Sequence, residues 1–162
     1  MPLLRLLTLA ALLALTACAS KPPLKAEGVD TGLTPVEAAS RGATNARVLW
    51  GGVIVASTNL KDMTQIEVLA FPLEDDQSPK TDDKPLGRFL ILKDGYLETA
   101  DYASGRRITV VGTVTGTRPG RIGESDYTYP VVQPERMHLW PRNVTRQSTE
   151  PRFHFGVGVV FH

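Results

Sequence analysis

The chain's single thiol, Cys18, follows an apolar run that closes in small residues, Leu15-Thr16-Ala17-Cys18. A lone cysteine has no disulfide partner, so its chemistry is that of one sulfur nucleophile. Other reactive side chains are sparse. There are 3 histidines, His138, His154 and His162, with no second cysteine, GxSxG, HExxH or phosphate-binding glycine loop beside them. The nucleophile and base of a hydrolase are therefore missing, and a non-enzymatic role is expected. His154 and His162 share a strand face but stand ~27 Å apart at ~3.4 Å per residue, too far to hold one ion. Glu74-Asp75-Asp76 with Asp82-Asp83 lacks the spaced ligands and glycine of a calcium loop, and with Lys80 and Lys84 interleaved it reads as a solvated loop. No metal and no cofactor is expected. One ligand face suggests itself. Tyr127 and Tyr129 alternate onto the same side of a strand, and Arg88 and Arg106 beside them would suit a small glycan or anion. The plainer reading is two tyrosines packing a barrel mouth with wet hydroxyls.

The residues before Cys18 do not look like part of a fold. Arg5 precedes an apolar run from Leu6 to Leu15 interrupted only by Thr8. At about 10 residues it suits a signal peptide and falls short of the ~20 that span a bilayer. With Leu15, Thr16, Ala17 and Cys18 it resembles the lipobox of bacterial lipoproteins: an aliphatic residue and two small ones before cysteine. That resemblance implies that residues 1–17 are a signal cut off before Cys18. The sulfur takes a diacylglycerol first, the cut follows, and the new amino group then takes an acyl chain such as palmitate. The membrane is thus the expected partner: at ~0.8 kcal/mol per buried CH₂, one chain holds marginally and two or more hold stably. The competing reading is an ordinary secretory signal ending near Ala17 or Ala19. Ala19 in place of aspartate implies, by analogy with enteric sorting, the outer membrane.

Taking residues 1–17 from the 162 leaves 145, enough for one domain with a core. Arg5 leaves with them, so 17 basic residues face 17 acidic ones. A neutral chain has no long-range field to gather nucleic acid, and none is expected as a partner.

The elements that must carry these residues are mostly strands. Residues 18–33 are rich in Pro, Gly and charge and read as a lipidated tether. Thr34-Pro35-Val36-Glu37 has the form of a capping box, starting a short helix that ends near Ser40 to Gly42. Strands are expected over 47–57, with a bulge or bend at Gly51-Gly52, and over 64–72, 86–92 and 106–117. A glycine-rich turn at 119–123 should lead to strands 126–132 and 136–140, broken by Pro130 and Pro134. The expected fold is mainly β: a small bent antiparallel barrel over residues 34–142, OB-like, with a helical turn near Ala100 to Ala103. A β-sandwich is the alternative. After a polar linker from 143, residues 152–162 put Phe153, Phe155, Val157, Val159 and Phe161 on one face of a C-terminal strand. That strand either closes its own sheet, the commoner case, or pairs with an envelope protein or a second copy.

From Val48 to Trp140 the sequence resembles the Slp family, starvation-inducible outer-membrane lipoproteins of Gram-negative bacteria. The resemblance rests on Trp50-Gly51-Gly52, Glu67-Val68-Leu69 with Phe71-Pro72-Leu73, and Gly87-Arg88-Phe89. It continues through Ala100-Asp101-Tyr102, Thr109-Val110-Val111-Gly112, Tyr127-Thr128-Tyr129-Pro130-Val131-Val132 and His138-Leu139-Trp140. Leu97-Glu98-Thr99 departs from the family's Asp-Pro step. The resemblance implies an outer-membrane lipoprotein of starvation or stationary phase, serving envelope maintenance or assembly. It brings no agreed biochemical activity.

Overall fold

The computed structural model describes residues 21–142, so the leader, Cys18 and the alternating tail lie outside the described residues. Its elements are α1 (Pro35–Arg41), β1 (Arg47–Asn59), β2 (Met63–Phe71), β3 (Gly87–Asp94), β4 (Arg107–Ile122) and β5 (Ser125–Leu139). The strands close into a barrel in the order β1-β2-β3-β5-β4, with β4 returning to β1. The mainly β barrel is as expected. One seam departs from it: β3 and β5 run parallel, at Leu90 and Ile91 against Val131 and Val132.

Alternation explains the interior. Ile66, Val68 and Ala70 of β2 point inward and are essentially inaccessible, as are Ile108, Val110 and Val114 of β4. Val48, Trp50 and Ile54 of β1, Phe89 and Ile91 of β3 and Val132 of β5 complete the core. β3 is apolar on both faces because Leu90 and Leu92 meet a second cluster outside the barrel, with Tyr129, Val131 and Ile122 from the β4–β5 hairpin.

The helix caps as its sequence requires. The Glu37 N–H donates to the Thr34 hydroxyl, the Thr34 N–H donates back to the Glu37 carboxylate, and Gly42 ends the helix in the left-handed region. Ala38, fully buried, seats α1 on the core.

One local expectation holds and three are corrected. The single helical turn expected near Ala100 to Ala103 is present, the N–H groups of Asp101 and Tyr102 donating to the Glu98 carbonyl. It remains one turn, and Gly105 at φ 84° redirects the chain. The bulge expected at Gly51-Gly52 lies further on, between Ile54 and Ala56. β4 does not end at Pro119; it runs to Ile122, and the turn is Gly123-Glu124, with Gly123 at φ 60°. β1 pairs with β4 only from Arg107 to Thr113, so at Pro119 the strand is bonded on one side and a missing N–H is tolerated. For the same reason β5 is one strand through Pro130, while Pro134 faces the register shift at Gly112.

Candidate functional site

Three of the four ligand-face residues converge. Arg88 on β3 and Tyr127 and Tyr129 on β5 meet on the outer face of the barrel, around Glu67 of β2. The Arg88 guanidinium donates to Glu67 Oε1 at 2.7 Å and the Tyr129 hydroxyl donates to the same oxygen at 3.1 Å. The Tyr127 hydroxyl accepts from the Arg88 N–H at 2.8 Å, and the two rings meet edge-on with centroids 4.7 Å apart. The polar atoms of this cluster are therefore bonded to one another. The Arg88–Glu67 hydrogen bond holds the Arg88 pKa above its ordinary value. Burial, reinforced by the Glu67 charge, pushes the Tyr129 hydroxyl up as well. Sequence reasoning missed Glu67. Its signal was the alternation of β2, which turns it outward opposite Ile66 and Val68.

A raised tyrosine pKa means that the folded chain resists losing that proton. The stabilisation is whole below the ordinary tyrosine value of 10.0 and is lost as pH rises through the folded one. Stability is accordingly expected to fall above pH ~10, and Tyr129→Phe should flatten that alkaline decline while costing ~1–2 kcal/mol at neutral pH through the lost bond to a carboxylate. Urea midpoints across pH will measure both. An alkaline limb identical in parent and variant would contradict the assignment.

Arg106 stands apart from the other three. It lies just before β4, where its guanidinium donates to the carbonyls of Asp101 at 2.8 Å and Trp140 at 3.1 Å.

The stretch expected as a free tether is in large part a strap laid on the barrel. Leu24 is buried, and its backbone forms a reciprocal pair with Gln77: the Leu24 N–H donates to Gln77 Oε1 at 3.0 Å, and Gln77 Nε2 donates to the Leu24 carbonyl at 2.9 Å. Arg47 donates to the Glu27 carbonyl and, through two nitrogens at 2.8 Å, to Glu135. The Asp30 N–H donates to the Arg47 carbonyl, and Trp50 Nε1 donates to the Leu33 carbonyl at 2.8 Å. The charged loop after β2 is not simply solvated either. Gln77 is buried at a left-handed φ of 70°, and its carbonyl accepts from the Thr109 hydroxyl. Such backbone costs ~1–3 kcal/mol and persists where surrounding bonds hold it, here on both sides of the residue.

His138 packs edge-on against Trp140 within β5 and the residues after it. Among the described residues no three His, Cys, Asp or Glu side chains are grouped to hold a metal, and no helix is long and apolar enough to cross a membrane. Phe153, Phe155, Val157, Val159 and Phe161 lie outside the described residues, as do Leu15, Thr16, Ala17 and Cys18.

Over the described residues the chain is a five-stranded closed barrel with a strapped N-terminal segment and one capping helix, a small β-barrel domain. The chain belongs to the outer membrane lipoprotein Slp family, whose pattern matches residues 15–158. The resemblance carried by Trp50-Gly51-Gly52 and the motifs after it is thereby borne out. An uncharacterized protein of Haemophilus influenzae is 38% identical over 96 residues, covering 59% of this chain and 52% of that one. The uncharacterized lipoprotein YeaY of Escherichia coli is 32% identical over 113 residues, covering 67% and 58%. The outer membrane protein Slp of the same species is 25% identical over 112 residues, covering 69% and 59%. The chain thus spans a little over half the length of these relatives. No solved structure matches.

Proposed function

We propose that this chain is a non-enzymatic lipoprotein, cut before Cys18 and held at the outer membrane by acyl chains on that sulfur, with its barrel in water. The observation that carries the reading is Leu15-Thr16-Ala17-Cys18 standing six residues ahead of Leu24, where the strap enters the core. Six extended residues reach ~20 Å at most, so the barrel would ride close to the headgroups. The family match, which begins at residue 15, supports the same reading. The role is envelope maintenance or assembly in starvation or stationary phase. Residues 152–162, apolar at every second position in the sequence, would add as a strand to an envelope protein or a second copy, and the stretch of β4 beyond Val114, unpaired to β1, is a strand edge of the kind such a segment adds to.

Labelling with radioactive palmitate will test the anchor. The parent chain should take label and sediment with membranes. Cys18→Ala should take none, and its membrane-bound fraction should fall by about tenfold or more, since stable holding needs two or more chains. Label retained on the alanine variant, or unchanged sedimentation, would refute the proposal.

A further inference from the structure

Where Arg106 lies, the surface opens into a groove of about 470 Å³ lined by Arg106, Arg107, Arg142, Ser104, Gly105 and Thr81 among others, none of them acidic. Arg106 and Arg142 are held in place by carbonyls, not carboxylates. Arg106 donates to Asp101 and Trp140 as above, and Arg142 donates to the Ala100 carbonyl at 3.1 Å. Neither makes an ion pair among the described residues. Arg106 Nε is sheltered from solvent with no acceptor. Arg107 shares its charge with Asp76, whose carboxylate is bonded chiefly to Ser78. Asp82, Asp83 and Asp101 stand on the flanking segments without lining the groove.

A guanidinium partly withdrawn from water and left without a counter-ion is costly unless an anion completes it. Planar guanidinium forks match the oxygens of a phosphate in particular. From Arg106, Arg142 and their carbonyl partners we infer that this groove binds a phosphate-type oxyanion, either a free phosphate or the phosphate of a lipid headgroup. Its place on the barrel suits the second source. Trp140, whose carbonyl holds Arg106, donates through Nε1 to the Thr109 hydroxyl; Thr109 donates to the Gln77 carbonyl; and Gln77 holds Leu24 of the strap. The groove is thus joined by hydrogen bonds to the point where the chain arrives from Cys18. The headgroup source rests on the anchoring proposed above; the free-phosphate source does not.

The test uses the chain without residues 1–17 and carrying Cys18→Ala, so that neither leader nor acyl chains can hold it and the site is judged apart from the anchor. Calorimetric titration with inorganic phosphate should show saturable binding. Arg106→Gln with Arg142→Gln should weaken it at least about tenfold, and Arg142→Gln alone, which leaves the Arg106 bonds intact, about threefold. Arg41→Gln, on α1 and not lining the groove, should leave it unchanged. Co-sedimentation with phosphatidylglycerol and with phosphatidylcholine vesicles separates the sources. Preference for the anionic vesicles, lost in the arginine variants, identifies a headgroup; phosphate binding without that preference identifies a free anion. Absence of both phosphate binding and vesicle preference overturns the inference, and so does binding that survives in both arginine variants.

Discussion

Phe89→Ala should lower the free energy of unfolding by ~3–5 kcal/mol, the range for truncating a buried aromatic ring. Phe89 is fully inaccessible and meets Trp50 edge-on, with ring centroids 5.2 Å apart. Small domains have only ~5–15 kcal/mol in total, so the variant should unfold at far lower urea. Trp50 also holds the Leu33 carbonyl, so the strap should loosen with the core. Urea unfolding followed by tryptophan fluorescence will give the change. A loss under ~1 kcal/mol would mean that the ring is not the centre of the barrel.

Gly52→Ala should be at least as damaging, although it adds a single methyl group. A Cβ at Gly52 would fall on the Leu69 carbonyl and crowd the Ala70 Cα, both main-chain atoms of the paired strand. Overpacking that side chains can absorb costs ~1–3 kcal/mol, and here the strands themselves must part. The melting temperature should fall by about 10 °C or more. Gly51→Ala is the comparison. There the Cβ would meet chiefly the Leu73 and Thr109 side-chain ends and approach the Ile108 carbonyl less closely, so the loss should be smaller. Equal and mild losses at both positions would contradict a close approach of β1 to β2.

These two residues also show where sequence reasoning reaches and where it stops. Period-two alternation is local, so β2 and the first half of β4 could be read directly, as could the capping box of Thr34 and Glu37. Gly52 was noticed as a kink signal, but its reason is a neighbour across the sheet. Pro119, Pro130 and Pro134 read locally as breaks; only the one-sided pairing and the bulge make them harmless. Leu24 and Leu33 are single apolar residues among Pro, Gly and charge, with no period to mark them. Their docking depends on Gln77, Arg47 and Trp50, far off in the chain. Arg88, Tyr127 and Tyr129, read as neighbours, do meet, while Glu67 between them and the separate place of Arg106 follow from barrel closure, which no single segment encodes.

The proposed anchor at Cys18 is tested most directly by mass spectrometry of the N-terminal peptide of the mature chain purified from membranes. A peptide beginning at Cys18, heavier by a diacylglycerol on sulfur and an acyl chain on nitrogen, is the predicted result. A free Cys18 thiol, or a first residue elsewhere, would contradict it.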